Sequence, residues 1–381
     1  MRGPASNGVS CDLQWINGLE AQKEAGMADG ITTSGITIGL DLGDRQTAGC
    51  VLDATGQVLT RWQVRTTRSG LQAAVAPWPG ARVILEVGPQ SPWVSRGLTA
   101  AGYAVVVANA RRVRLIAESD AKSDRLDAEG LARLGRVDPA LLAPIQHRRE
   151  QTQRALGVIK ARASLVRMRT LGINHVRGVA KALGHRLPAC AAEAFPTRVR
   201  AHAAGPALPG IEELLAVLEQ LTVSIRASAR TLATLARTRY PVTELLQQVP
   251  GVRPLTALTD VLTLEDPTRF PRSRTVGASL GLRPRRRESG AQRPELSITK
   301  AGDALLRRYL VTAAQYILGP FGPDTDLRRR GLLLAGRGGK GAKKRAGVAV
   351  ARKLAVLLHR LWLTGEVYDP VGYQTQVARA A

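Results

Sequence analysis

Aromatic residues make up only 4% of this 381-residue chain, too few for a surface that recognises nucleic acid through a ladder of stacked bases. Cysteine occurs three times, at Cys11, Cys50 and Cys190. Three scattered thiols do not make a disulfide framework, and they predict a reduced, cytoplasmic protein. The five histidines, His147, His175, His185, His202 and His359, show no zinc-type pairing with cysteine. No run of ~18 or more uncharged apolar residues is present, so no membrane-spanning helix is expected. Residues 1–30 carry mixed charge without an apolar stretch, which excludes a secretory signal and leaves a flexible leader over 1–35. Negative charge is also in short supply. Thirty Asp and Glu face 55 Lys and Arg, a formal net charge of +25. An excess of that size calls for a polyanionic partner, and nucleic acid fits better than a membrane surface.

What is present falls into three stretches. Residues 36–144 alternate strand and helix signals. Ile36–Leu42, Thr47–Asp53 and Gln57–Arg65 are joined by the turns Gly43-Asp44 and Ala54-Thr55-Gly56, the spacing of an antiparallel meander. Buried strands at Arg82–Val87 and Ala104–Ala108 bracket a helix at Pro92–Ala101. Helical pattern resumes near Val113 and again at Arg125–Leu134. The order β-β-β-α-β-α-β-α predicts an α/β layered domain with the first and fourth strands adjacent. Residues 145–240 carry two long helical patterns, Arg148–Lys181 and Ile211–Arg239, separated by the breaker-rich Pro188–Pro209. They read as an antiparallel, coiled-coil-like arm or as a plain helical subdomain. Residues 241–370 read as a basic helical domain with helix–turn–helix at Val242–Leu264, a loop at Gly281–Pro294, a helix from Asp303 to Leu318 and a linker at Arg328–Arg345. The last helix is expected at Ala346–Leu363, with a tail over 371–381.

Two carboxylates are misplaced by ordinary standards. Asp41 lies in Gly39-Leu40-Asp41-Leu42-Gly43 and Glu86 in Val83-Ile84-Leu85-Glu86-Val87, each within an apolar strand. Burying such a group is costly unless it is paired or binds a cation. Asp124 and Asp127, three residues apart, share one face of a helix. If that helix packs near the ends of the first and fourth strands, four carboxylates converge. Two divalent cations ~3.5–4 Å apart would neutralise them and suit attack on a phosphodiester. Asp44, Asp53, Asp120, Glu129 and Asp138 read instead as turn or surface residues.

This arrangement resembles the ribonuclease-H-like nuclease fold in its Holliday-junction-resolvase (RuvC-like) version. Lys122-Ser123-Asp124-Arg125-Leu126-Asp127-Ala128-x-x-Leu131-Ala132 is more specific still. It resembles the DEDD transposases of the insertion-sequence one-hundred-ten group. The later segments Pro250-Gly251-Val252-Arg253-Pro254-Leu255-Thr256-Ala257, Ala278-Ser279-Leu280-Gly281-Leu282-Arg283-Pro284, Ser289-Gly290 and Ile298-Thr299-Lys300-x-Gly302-Asp303-x-x-Leu306-Arg307 are similar to that family's second half. The pattern extends over residues 36–370, with Glu288 where a second serine is common and Asp303 where Asn is common.

The resemblance implies that Asp41, Glu86, Asp124 and Asp127 bind Mg2+, two ions in the present reading, and that Ser289 is the nucleophile. It further implies transposition of an insertion sequence through a phosphoserine intermediate. The implied partners are double-stranded DNA at the element ends and the target, a bridge RNA pairing with both, and a homo-oligomer, a dimer assembling to a tetramer. Such a protein works in the cytoplasm, on the nucleoid. Around Ser289, the residues Arg283, Arg285, Arg286, Arg287, Arg293, Lys300 and Arg307 are candidate nucleic-acid contacts. Guanidinium forks hold phosphate and offset charge on pentacoordinate phosphorus. Arg328, Arg329, Arg330, Lys340, Lys343, Lys344 and Arg345 are expected to extend that track. The alternative is a junction-resolving nuclease that uses metal-activated water and needs no serine.

Overall fold

The computed structural model describes residues 35–111, 124–202, 210–287, 296–339 and 341–371, with side chains in the helix opening at Asp124 described from Leu126 onward. These residues form two compact units, divided between His147 and Arg148.

The first unit is built on five strands: β1 (Thr37–Leu42), β2 (Gln46–Leu52), β3 (Val58–Arg65), β4 (Arg82–Glu86) and β5 (Ala104–Ala108). Their order across the sheet is β3-β2-β1-β4-β5. The expected meander is present, with β1–β2 and β2–β3 antiparallel, whereas β1–β4 and β4–β5 are parallel. Helices α1 (Arg68–Val75) and α2 (Ser91–Ala100) make the crossovers. They bury Leu71, Val75, Val94 and Leu98 against Ile38, Leu40, Val83 and Leu85 on one face of the sheet. Helix α3 (Asp124–Val137) covers the opposite face, burying Ala128, Leu131 and Ala132 at helical spacing. This mixed sheet with helices on both faces is the architecture that the ribonuclease-H-like resemblance implies. The helical pattern expected near Val113 lies outside the described residues.

In the second unit, α4 (Glu150–Ala182) and α6 (Ile211–Arg239) pack antiparallel. Ala155, Leu156 and Ile159 near the start of α4 meet Leu232 and Ala236 near the end of α6, while Val176 and Ala180 meet Ile211 and Leu215. A short helix α5 (Phe195–Arg200) closes the far end, with Phe195 buried. The chain continues through α7 (Val242–Leu246), α8 (Pro254–Leu264), α9 (Arg274–Ser279), α10 (Ala304–Leu318), α11 (Asp326–Gly336) and α12 (Ala342–Thr364). Their shared core contains Val261, Leu264, Leu306, Leu310, Leu354 and Leu358.

One expectation is corrected here. Half of the Arg328–Arg345 stretch belongs to helix α11, and the last helix begins within it, at Ala342. Thr325 caps α11, its hydroxyl accepting from the Arg328 amide, and Leu327 packs against the core. A cap and an apolar anchor outweigh the linker-like composition.

Candidate active site and basic surface

Strand register sets the acidic site. Thr37 pairs with Arg82, and the pairing runs in step to Leu40 beside Leu85. One further step places Asp41 next to Glu86 at the carboxyl ends of two parallel neighbours. Side chains alternate along a strand, so Asp41 shares a face with Gly39, and Glu86 with Ile84. That face is the one α3 covers. A Cβ added at Gly39 would lie 2.0 Å from the Ala128 carbonyl oxygen and 2.6 Å from the Ala132 nitrogen. Glycine at this position lets the helix backbone lie on the strand.

The direction of α3 follows from its last turn. Arg136 donates to the Ala54 carbonyl at 2.9 Å, in the β2–β3 turn, and Arg82, at the entry of β4, donates to the Gly135 carbonyl at 3.5 Å. The helix therefore ends at the amino ends of β1 and β4. Its first turn, with Asp124 and Asp127, lies toward their carboxyl ends. Those ends are also the topological switch point of the sheet, because β2 departs from β1 on one side and β4 on the other. Open α/β sheets place their ligands at such a crevice.

Asp41, Glu86 and Asp127 are all half-buried, and Asp41 and Glu86 each already interact within the fold. Oxygen donors of this type suit a hard divalent cation. Among the described residues, however, no three Asp, Glu, His or Cys side chains close into a group able to hold a metal. The Asp124 side chain, fourth of the expected set, lies outside the described residues.

Glu129 on α3 corrects the expectation of a solvated surface acid. Its carboxylate accepts from Arg61 at 2.6 Å and from Arg133 at 2.6 Å, and these two hydrogen bonds hold its pKa below the usual carboxylate range. Burial, and then the Glu129 charge, push the nearby Cys50 thiol up, which keeps it in the unreactive protonated form. Asp53 is a turn residue, as read from the sequence, and Asp138 caps the short 3-10 turn at Pro139–Leu142.

In the second unit, Ser289 and Arg293 lie outside the described residues, while the chain on either side of them is paired. Arg285 donates its amide to the Ser297 carbonyl at 3.0 Å, Thr299 donates to Arg283 at 2.9 Å, and Pro284 bridges Ile298. A single antiparallel bridge thus ties together the chain on the two sides of the segment carrying Ser289. Below it two backbone turns interlock. Gly302 has φ +72°, and a Cβ there would lie 1.9 Å from the Ser279 carbonyl oxygen. Arg307 donates from Nη1 to the carbonyls of Leu280 and Ala301, both at 2.9 Å. Arg307 is therefore the brace of this platform, and its reading as a nucleic-acid contact is revised. Asp303 caps α10, accepting from the Leu305 and Leu306 amides at 2.9 Å, a role that Asn fills equally well.

Other members of the basic set divide in the same way. Arg328 donates to the Ile317 and Gly319 carbonyls and closes the end of α10. Arg329 pairs with Asp324 at 2.5 Å. Arg283, Arg285, Arg286, Arg287, Lys300, Lys343, Lys344 and Arg345 are exposed. Lys340 lies outside the described residues.

One buried acid escaped the sequence reading. Asp260 on α8 is 0% exposed, and among the described residues neither of its oxygens has a hydrogen-bond partner. Burial alone pushes its pKa up to about 7. The clue was available, since Asp260 also interrupts an apolar run.

A layered α/β unit with carboxylates at its switch point, followed by a helical unit with exposed arginines beside the Ser289 segment, fits the DEDD transposases that the sequence resembles. Comparison with known proteins narrows this further. A DEDD transposase model of the IS110 group matches residues 38–183, and a model described as Transposase IS116/IS110/IS902 family matches residues 243–325. The transposase for insertion sequence element IS1111A of Coxiella burnetii is 27% identical over 339 residues, covering 87% of this chain and 90% of that protein. A probable family 20 transposase of Pseudomonas aeruginosa is 27% identical over 343 residues, covering 87% and 98%. The transposase for element IS1328 of Yersinia enterocolitica is 28% identical over 288 residues, covering 73% and 82%. The chain belongs to the IS110 family of transposases, enzymes that cleave and transfer DNA strands. The four acidic residues lie within the first matched segment and Ser289 within the second. No described helix is long and apolar enough to cross a membrane.

Proposed function

We propose that this transposase moves an insertion sequence by strand exchange through a phosphoserine intermediate. The observation that carries the reading is the register placing Asp41 beside Glu86 at the switch point, with the first turn of α3 directed to the same end. Asp41, Glu86, Asp124 and Asp127 would hold the divalent metal, Mg2+ in this reading. When bound, the metal supplies Lewis-acid activation of the nucleophile or leaving oxygen. The Ser289 hydroxyl attacks phosphorus. A Ser–O–P bond forms, the bond to one strand's oxygen breaks, and that oxygen leaves as a hydroxyl. Attack by the hydroxyl of the exchanged strand reverses the step and frees the serine, so no external energy is needed.

The exposed arginines Arg283, Arg285, Arg286 and Arg287, with Arg293, grip the phosphate and offset its developing negative charge. In the same reading the α4–α6 pair serves as a coiled-coil arm of a homo-oligomer, a dimer assembling to a tetramer. The acidic unit of one copy then works with the serine unit of another, and a bridge RNA pairs with donor and target DNA.

The competing reading, a junction nuclease using metal-activated water, needs the carboxylates but no serine. Incubation with end-labelled element DNA followed by denaturing electrophoresis separates the two. A label that stays with the protein, and is lost in Ser289→Ala, is the expected result. Free cleaved DNA made equally well by Ser289→Ala contradicts it.

A further inference from the structure

The second unit carries a broad cleft between α11 and α12, walled on a third side by Pro284, Arg285 and Ile298. Its lining is strongly unbalanced, with nine Lys or Arg side chains against three Asp or Glu. Arg274, Arg330 and Lys353 are exposed into it and form no ion pair within the described residues. Arg274 and Arg330 lie close enough to Lys353 to help lower its pKa, after partial desolvation and against the pull of Asp326. Like charges that outnumber their counter-ions raise the energy of the free protein, and an arriving anion relieves it.

The shape of the charge selects the class of anion. Cations recur along α12 from Lys344 to Arg360, roughly 24 Å at ~1.5 Å per residue. A single phosphate reaches two or three of them, whereas a polyanion with regularly spaced charge meets the whole row. The floor between them is apolar and half-buried, with Leu327, Leu334, Val348 and Leu357. Such a floor accepts the apolar edge of deoxyribose and offers little to a ribose 2′-hydroxyl, whose recognition needs polar partners.

We infer that this cleft binds a strand of duplex DNA through its backbone, with Arg274, Arg330 and Lys353 as its central phosphate grip. The inference uses the chain's membership of a DNA-transferring family and stands apart from the serine assignment, since binding here needs neither Ser289 nor the acidic residues.

The test is fluorescence anisotropy of the full chain with a labelled DNA duplex across a salt series. Each phosphate contact contributes about 0.9 to the slope of log affinity against log salt. The double variant Arg330→Gln/Lys353→Gln should flatten that slope by about 1.8, twice the single-contact value. Arg329→Gln removes the same charge one residue away, but Arg329 already pairs with Asp324 outside the cleft, so its slope should match wild type. An unchanged slope in the double variant, or an equal loss in Arg329→Gln, overturns the site. If the double variant unfolds, Arg274→Gln alone carries the same test at about 0.9. Tighter binding of an RNA duplex, or displacement of the DNA by polyglutamate at equal charge, overturns the assignment to DNA.

Discussion

Asp260 makes the pH dependence of this protein's stability calculable. Its carboxyl sits at 0% exposure with no hydrogen-bond partner among the described residues, and burial raises its pKa from 3.8 to about 7. In the unfolded chain the group releases its proton above the ordinary value. In the folded chain it keeps the proton until about pH 7. Between those limits the folded state binds more protons, so unfolding free energy falls as pH rises and levels off above the folded pKa. At about 1.4 kcal/mol per decade, the full loss is about 4 kcal/mol. Asp260→Asn keeps the shape and removes the titration. Urea unfolding followed by far-UV circular dichroism should find the variant close to wild type near pH 4 and up to about 4 kcal/mol more stable near pH 8.5. Identical pH dependence in the two proteins would refute the reasoning, because Asp260 would then have to be stabilised as an anion in the fold.

Four further outcomes follow from close contacts and caps. Gly39→Ala should displace α3, cost about 1–3 kcal/mol and abolish metal-dependent cleavage. Gly97→Ala, where an added Cβ meets nothing within 4 Å inside a helix, should raise stability by about 0.5–1 kcal/mol and leave cleavage intact. Asp303→Ala should cost about 1 kcal/mol through the lost cap, while Asp303→Asn costs little, as urea midpoints will show. Arg307→Ala leaves the Leu280 and Ala301 carbonyls without their shared donor, so hydrogen exchange in residues 279–302 should accelerate and strand transfer should fall. Unaltered exchange there would return Arg307 to the nucleic-acid surface.

Much of the first unit was legible because its signals are local. Alternation and turn residues gave β1–β3, and the crossover spacing put β4 beside β1. The acidic site was legible for a less specific reason, a carboxylate inside an apolar strand. Asp260 carries the same signal within Leu258-Thr259-Asp260-Val261-Leu262 and belongs to no acidic cluster, so the signal marks buried charge rather than metal. Register and the direction of α3 separate the two cases, and both are long-range facts. Composition misled at Arg328–Arg345, where Arg, Gly and Lys resemble a linker, yet Thr325 caps a helix that Leu327 ties to the core. The roles of Arg307 and Arg328 were illegible because their acceptors are carbonyls of distant turns. Exposure decides which of the other basic side chains remain available to phosphate.

The central claim, that Asp41 and Glu86 belong to one metal site with the first turn of α3, is tested most directly by Mn2+ binding. Electron paramagnetic resonance of the full chain titrated with Mn2+ reports free and bound ion without any need for activity. Saturable binding in wild type, lost in Asp41→Asn and in Glu86→Gln with unfolding midpoints preserved, is the expected result. Undiminished stoichiometry and affinity in both folded variants would contradict it.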